Sequence, residues 1–469
     1  MGTGTGNFSV ASLKGQYVYQ IAGTDLSSGS PAPYREAGFF VADGSGNITS
    51  GIDDFCEGSA CGSANPVTGS YSIGNDGSGS LSLSIGINLD ISVVSSSKVY
   101  LMETDSVNAA GIAELQTATS SILSSTPAGT FAFRMHTISS AQGSSSVVGA
   151  LTIASGVVSG NDDVERAGVF DNGSGSPLTL TGSFNAPASN GRGTGSITDS
   201  ANITSHFIYY IVDGNNVRWI STDASLGILG LGRAEKQTGV PFSAASLSGG
   251  YAFGSRADDS TYLNGVNTVG SFLSKGNGTI DTGTYDSVQD GNSFVNIALT
   301  GSYTMASNGR AAVTLNPSGG TQVQQVFWMV NNTRAFLITN DSTRYEDGTI
   351  DQQQGIFTNA SLNGQYAFLM DGFDLNSSNY VDRIGWIEWT GSGNLTWNEV
   401  VNDSGSVQQP GFLSGTYSVG SNGRVAATVN NLSYNTNDLI FYLVSGSNAY
   451  ILENDSGVEI IGAMNAQVQ

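Results

Sequence analysis

The segment FSVASLKGQY, residues 8–17, decides the fold because the chain repeats it. FSAASLSGGY returns at 242–251 and FTNASLNGQY at 357–366, while the remaining copy keeps only Gly129-Thr130-Phe131. The opening glycines lie 114, 120 and 115 residues apart, at Gly15, Gly129, Gly249 and Gly364. A second marker, Gly-Ser or Gly-Thr before an aromatic residue, keeps the same step at Gly69, Gly182, Gly301 and Gly415. This period is the size of a domain and far longer than a solenoid repeat, so it predicts four homologous domains.

Each repeat is predicted to be all-β. About eight short runs of β-branched and aromatic residues alternate with Gly, Asn and Asp turns, which is typical of an antiparallel meander. The same hairpin turn recurs in every copy, at Asp76-Gly77, Asn190-Gly191, Asn308-Gly309 and Asn422-Gly423. Eight such strands close into a barrel without leaving an open edge. We therefore predict four tandem eight-stranded antiparallel β-barrels, at 7–120, 121–240, 241–355 and 356–469; a nine- or ten-bladed propeller is the alternative, but its blades would be shorter than this period.

The opening of each repeat resembles the lipocalin opening. A Phe, a short turn and then Gly-x-Tyr stand where lipocalins have a helical turn that plugs one barrel end, followed by a strand beginning Gly-x-Trp. This resemblance implies a lipocalin-like meander barrel. The whole repeat is also similar to tandem β-repeats in exported proteins of Acidobacteria, a resemblance that implies export and no particular activity.

Charge and composition narrow the partners. The formal charge is −22, and sixteen basic residues spread over 469 positions form no basic stripe, which argues against nucleic acid and anionic membranes. No apolar run is long enough for a transmembrane span. Low charge with abundant Gly and Ser is typical of exported modules, so we expect a secreted or cell-surface protein whose leader has been removed. The Gly/Thr-rich head, residues 1–6, is expected to act as a tether.

The two cysteines are predicted to form a local disulfide. Cys56 and Cys61 lie in one loop of the first repeat, and the other repeats lack them. Their gap is too long for a redox C-x-x-C motif, and the additional ligands of a zinc site are missing. Two free thiols are the alternative.

Residues suited to catalysis are scarce, and we predict that the protein is not an enzyme and has no metal or cofactor. Only His136 and His206 could serve a histidine-based site, and ordinary structural roles explain both. Acids recur at the end of the third strand, where neighbours such as Asp53 and Asp54 point to opposite faces and cannot share a substrate. The other members of this set are Asp162, Asp163, Asp286 and Glu399.

A further acid follows an apolar strand in each repeat. Asp at a strand end caps a turn through its own backbone, and this structural role is the main interpretation. The alternative is one ligand or Ca²⁺ contact per module. The four residues are Asp105, Asp223, Asp341 and Asp455.

Three of the five tryptophans surround one hairpin of the fourth repeat. Trp386, Trp389 and Trp397 either fill the barrel core or form an exposed platform that stacks on a sugar ring or a partner protein. Because Trp386 and Trp389 are an odd number of positions apart on a strand, they face opposite sides.

These observations predict a non-enzymatic, exported surface or matrix protein shaped as a stiff rod of four barrels. Segment 7–13 resembles the connectors between repeats, so it is predicted to dock on the last module of another copy and build a head-to-tail filament. The alternative is an adhesin or carrier that binds a carbohydrate or small ligand, with the Gly-, Ser- and Ala-rich second repeat the most suited to a hollow barrel.

Overall fold

The structure, a computed structural model, describes residues 7–139, 143–166, 169–170, 175–257, 265–339, 346–430, 432 and 438–469. It confirms an all-β chain of four antiparallel eight-stranded barrels in tandem. In each barrel every strand pairs with the next one along the chain, and the last strand pairs back with the first.

The strands are numbered along the chain. The first barrel contains β1 (Lys14–Asp25), β2 (Ala32–Asp43), β3 (Asn47–Glu57), β4 (Ala60–Pro66), β5 (Gly69–Ile73), β6 (Ser78–Leu83), β7 (Asn88–Ser95), β8 (Lys98–Glu103) and β9 (Val107–Leu115). The second contains β10 (Gly129–Ser139), β11 (Gly143–Ala154), β12 (Val157–Arg166), β13 (Val169–Phe170), β14 (Leu178–Phe184), β15 (Arg192–Asp199), β16 (Thr204–Ile211), β17 (Asn216–Ser221) and β18 (Ile228–Lys236). The third contains β19 (Ser248–Arg256), β20 (Val266–Lys275), β21 (Thr279–Gln289), β22 (Asn292–Met305), β23 (Arg310–Pro317), β24 (Val323–Asn331), β25 (Arg334–Thr339) and β26 (Asp347–Gln352). The fourth contains β27 (Asn363–Asp374), β28 (Asn379–Thr390), β29 (Asn394–Asp403), β30 (Ser406–Val419), β31 (Arg424–Val429), β32 (Asp438–Ser445), β33 (Asn448–Glu453) and β34 (Val458–Ala466).

Strands β4 and β13 are short additions that pair with β3 and β12 and leave eight strands in each barrel wall. β3 and β4 carry Cys56 and Cys61, and the predicted disulfide is confirmed. The Cys56 side chain is buried where the first barrel meets the second.

Alternating side chains fill each barrel. Tyr17, Tyr19 and Ile21 point into the first barrel from β1, and Tyr366 and Phe368 occupy the matching places in the fourth. Because successive residues of a strand face opposite sides, the residues between them form the outer wall. These outer residues meet neighbouring barrels.

The two sequence markers meet at the barrel base. A 3₁₀ turn precedes the first strand in three barrels, at Val10–Ser12, Ala244–Ser246 and Asn359–Ser361. The Tyr71 hydroxyl, from the second marker, donates to the carbonyls of Val10 and Leu13, each at 2.8 Å. Tyr303 and Tyr417 repeat these bonds. The second barrel has Phe184 at this place, and helix α1 (Ser120–Leu123) replaces the 3₁₀ turn.

The four barrels form a closed ring. Contacts join the first barrel to the second, the second to the third, the third to the fourth and the fourth to the first. After each barrel a glutamine amide donates to two carbonyls of the next one. Gln116 bonds Asn190 and Ile211 at 3.1 and 2.6 Å, and Gln467 bonds Asp76 and Val93 at 3.0 and 2.8 Å. Gln237 and Gln353 make the equivalent pairs, so the contact occurs four times around the ring.

The expected rod is therefore wrong, because its ends meet. Segment 7–13 closes the base of its own barrel, with Phe8 2% exposed, and the tail of the fourth barrel docks on the first barrel of the same chain. The head-to-tail contact that predicted a filament is made inside one molecule. A heterologous contact that closes on itself produces a ring and no filament.

Small-angle scattering distinguishes these shapes. A compact chain of 469 residues has a radius of gyration of about 23 Å, and the ring should lie within a few ångström of that value. Four barrels in a line would exceed it by roughly half. A radius in the longer range, in dilute monomeric solution, would contradict the ring.

Candidate ligand-binding site

A cavity of about 380 Å³ lies where all four barrels meet. The outward faces of their first and last strands line it, for example Gln20 of β1, Arg134 of β10 and Leu369 of β27. We call it the axial cavity. Its volume falls in the range of small-molecule sites.

Basic side chains are concentrated there. Six of the sixteen basic residues of the chain line the axial cavity, against two acidic residues, Asp347 and Asp371. This is a formal excess of four positive charges in a chain whose net charge is −22. The six are Arg35, Lys98, Arg134, Arg218, Arg233 and Arg256.

Cations crowd one side of the cavity. Burial, reinforced by the charges of Arg218, Arg334 and Arg134, lowers the pKa of Arg233 to about 10 although Glu235 opposes the shift. The Nε of Arg233 has no hydrogen-bond partner among the described residues, and its guanidinium lies 5.6 Å from the centre of the Phe336 ring. The cluster therefore has unused donor capacity that an anion could take up.

Lys98 belongs to the same side. Its Nζ donates to Asn465 Oδ1 at 2.7 Å, across the interface between the first and fourth barrels. Burial, together with repulsion from Arg233, Arg334 and Arg218, lowers the pKa of Lys98 to about 8, and Glu114 only partly opposes this. A negative ligand would relieve the repulsion.

Ion pairs fix the opposite side. Arg134 Nη1 lies 3.0 Å from Asp347 Oδ1, and His136 Nδ1 lies 3.0 Å from the other oxygen. Burial alone would raise the pKa of Asp347, but Arg134 and the His136 bond hold it at about 2. Arg256 pairs with Asp371 at 2.5 Å, joining the third barrel to the fourth. These pairs position the guanidinium groups at the wall before any ligand arrives.

Sequence analysis missed these residues because they do not repeat. Ala22, His136, Arg256 and Asp371 hold the same place in the four opening strands, and only two of them resemble each other in charge. A signal was present: few basic residues exist, and several occupy outward positions of opening or closing strands. His136 lines this cavity, whereas His206 donates its backbone N–H to Asp223 and places its ring 2.9 Å from that carboxylate.

The three tryptophans are enclosed. Trp389 and Trp397 are 0% exposed in the core of the fourth barrel, and Trp386 is 8% exposed at the interface with the first barrel. Trp386 and Trp389 do face opposite sides of their strand, but the outward Trp386 is covered because its Nε1 donates to Asp76 Oδ2 at 3.0 Å. The three rings therefore do not form an exposed platform.

The strand-end acids hold turns and strand ends. Asp105 accepts the backbone N–H of Val107 at 2.9 Å, and Asp455 accepts that of Asp438 at 3.0 Å. Asp223 precedes the 3₁₀ turn Ala224–Leu226. Asp341 lies outside the described residues.

The third-strand acids separate into two sets. Asp54, Asp163 and Asp286 face neighbouring barrels, and each forms two bonds to an arginine of the next barrel. Asp53 and Glu399 face barrel interiors, where Asp53 accepts from the Tyr19 hydroxyl. Asp162 accompanies them at the equivalent inward position.

The barrel interiors offer less room than the axis. The second barrel holds a cavity of about 60 Å³ between Phe133, Leu180, Phe207 and Trp219. The third holds one of about 20 Å³. Such spaces accommodate a few water molecules, and an organic ligand of ordinary size needs several times more.

Comparison with known proteins adds little. No family model and no curated protein matches the chain. Among the described residues, every helix is too short or too polar to traverse a bilayer. Two solved structures are similar, both of transferrin binding protein B. The first, a double mutant from Haemophilus parasuis Hp5, is 9% identical with a TM-score of 0.19, over 80% of this chain and 84% of that chain. The second, isotype 1 from serogroup B Neisseria meningitidis, is 6% identical with a TM-score of 0.22, over 79% and 83%. With TM-scores near 0.2, the function of this chain rests on its own geometry.

Proposed function

We propose that the protein is a non-enzymatic surface protein that binds a small organic anion in the axial cavity. The excess of basic side chains at the centre of an otherwise acidic molecule carries this proposal. Charges of one sign in a low-dielectric cleft focus the field and concentrate counter-ions there.

The chemistry of the lining favours a carboxylate or phosphate group. Arginine guanidinium groups match the geometry of both anions, and Lys98 adds a point charge. The rest of the wall is apolar or aromatic, with Tyr100, Ile112, Leu231 and Leu369. This combination suits an anion with a small organic body.

An exported location fits the disulfide between Cys56 and Cys61, because such bonds persist in oxidising compartments. The acidic surface also suits a small ligand better than an anionic polymer, which the outer charge would repel.

Calorimetric titration with inorganic phosphate, citrate and glucose 6-phosphate tests the proposal, with glucose as the uncharged control. We expect at least one anion to bind and glucose not to bind. Lys98→Met and Arg233→Met should each weaken the affinity about 10- to 100-fold, because each removes a charged partner. Lys275→Met is the matched control, since Lys275 is 59% exposed on the outer surface. Equal affinity in all variants, or no binding of any of the three anions, would refute the proposal.

The pKa of Lys98 gives the proposal a pH signature. The ammonium is charged below about pH 8 and neutral above it, so anion affinity should fall between pH 7 and 9. In Lys98→Met this step should disappear. Without ligand, the free energy of unfolding should rise with pH from about 8 to 10.5, because unfolded Lys98 still holds a proton that folded Lys98 has lost. Titration of wild type and variant over this range, with melting curves, measures both effects.

A further inference from the structure

Three of the four interfaces in the ring contain the same buried ion pair. Arg192 Nε and Nη2 lie 2.8 and 2.7 Å from the two oxygens of Asp54 in the preceding barrel. Arg310 with Asp163, and Arg424 with Asp286, repeat this geometry at 2.8 and 2.6 Å. An aromatic side chain of the arginine's barrel bonds the same carboxylate, from Tyr210, Trp328 or Tyr442.

The fourth interface, between the fourth and first barrels, lacks every member of this set. We call it the seam. Strand register places Ser78 where the other barrels have arginine, and Ser92 where they have Tyr or Trp. Val400 stands in place of the aspartate. The seam therefore has room that a guanidinium and an aromatic ring fill elsewhere.

A groove of about 450 Å³ occupies that room. We call it the seam groove. Ser78 and Val400, the two substituted positions, both line it, together with Ser72, Ser80, Asn398 and Gln409. Its described lining includes the carboxylates of Asp76, Asp90 and Glu399 and no basic side chain.

Asp90 is the unusual member. In the other three barrels its place is taken by Ile208, Val326 and Ile440, all buried against the neighbouring barrel. The Asp90 carboxylate has no hydrogen bond or ion pair with any described residue, and burial alone raises its pKa. A carboxylate thus stands at the seam without the cation that the other interfaces supply.

Aromatic rings flank the groove. Phe412, 73% exposed, follows the lining residue Gly411 and lies 5.7 Å from Trp386, whose Nε1 bonds Asp76. A planar cation can stack on such a ring while its N–H groups bond a carboxylate.

We propose that the seam groove binds a guanidinium group, in the place where the other three interfaces hold an arginine of the chain itself. The cation pairs with Asp90 and Asp76, and the serines and amides of the wall bond its remaining N–H groups. A small guanidinium compound and an arginine side chain of a protein share this chemistry. This site is separate from the axial cavity and does not depend on the anion proposal.

Titration of the whole protein with agmatine, and with a blocked Gly-Arg-Gly peptide, tests the proposal. Saturable binding with a Kd of about 1 mM or tighter is expected for at least one of them. Agmatine alone would indicate a small-molecule site, and the peptide binding more tightly would indicate a protein arginine. The uncharged urea analogue of agmatine and a Gly-Lys-Gly peptide should bind at least tenfold more weakly.

Variants locate the site. Asp90→Asn should weaken binding at least tenfold, whereas Asp290→Asn, which removes a partly buried carboxylate of the third barrel, should leave it unchanged. The double variant Ser78→Arg/Val400→Asp rebuilds the ion pair of the other interfaces; it should abolish agmatine binding and raise the melting temperature. Unchanged agmatine affinity in Asp90→Asn, or in the double variant, would overturn the proposal, as would the absence of saturable binding up to about 10 mM. Anion binding at the axis serves as the check that each variant has kept its ring.

Discussion

Arg383→Met is expected to cost about 5 kcal/mol in the free energy of unfolding, because removing one member of a buried ion cluster leaves its partners uncompensated. Arg383, Glu399 and Glu453 are each 0% exposed by side chain in the fourth barrel. The guanidinium lies 3.1 Å from Glu399 and 3.3 Å from Glu453. Without it, two carboxylates face each other inside a barrel.

The loss should depend on pH. In Arg383→Met the folded state favours protonated carboxylates, so their pKa values rise and stability recovers as the pH falls from 7 towards 5. Urea unfolding at several pH values measures this, with the fluorescence of Trp397 as a local reporter because its Nε1 donates to Glu399 Oε2 at 3.0 Å.

A triple variant separates charge from packing. Arg383→Met combined with Glu399→Gln and Glu453→Gln removes the uncompensated charges and should recover most of the loss at pH 7. If the triple variant is no more stable than the single one, or if the single variant loses less than about 1 kcal/mol, the charge argument is wrong.

Arg310→Ser is expected to cost about 3 to 5 kcal/mol, because it leaves the carboxylate of Asp163 charged and buried at the interface of the second and third barrels. Asp163 is 0% exposed, and only Trp328 Nε1, at 2.8 Å, would remain among the two partners described above. Thermal and urea unfolding measure the loss.

The chain contains its own control for this variant. The seam combines Ser78 with Val400 at the equivalent positions and still closes. Arg310→Ser combined with Asp163→Val imitates the seam, and it should be more stable than Arg310→Ser alone by about 2 kcal/mol or more. A double variant as unstable as the single one would show that the interface needs the ion pair for its shape and not only to neutralise a charge.

The barrels were predictable because their determinants are local and repeated. The opening segment, the Gly-Ser-aromatic marker and the Asn-Gly turns each specify one barrel and occur four times. Tyr71 explains why two markers 58 residues apart belong together, since its hydroxyl bonds the backbone of Leu13 at the barrel base.

The ring was not predicted because its determinants join different repeats. Asp54 and Arg192 are 138 residues apart, as are Asp286 and Arg424, and this matching separation was a signal that pairing the two lists would have shown. The axial cavity is harder to predict. Its basic residues occupy equivalent strand positions but change from repeat to repeat, so periodicity conceals them.

The glutamine contacts give the molecule a cyclic order. Phe8 and Gln467 lie against the same residue, Gly77, so the two described ends of the chain are neighbours. Each barrel has one predecessor and one successor, and the fourth precedes the first as the first precedes the second. A circular permutation that cuts any connector and joins the present ends would keep every barrel and every glutamine contact. Such a molecule has no first barrel in space; only the distinct seam, with its serines and valine, tells one quarter of the ring from the others.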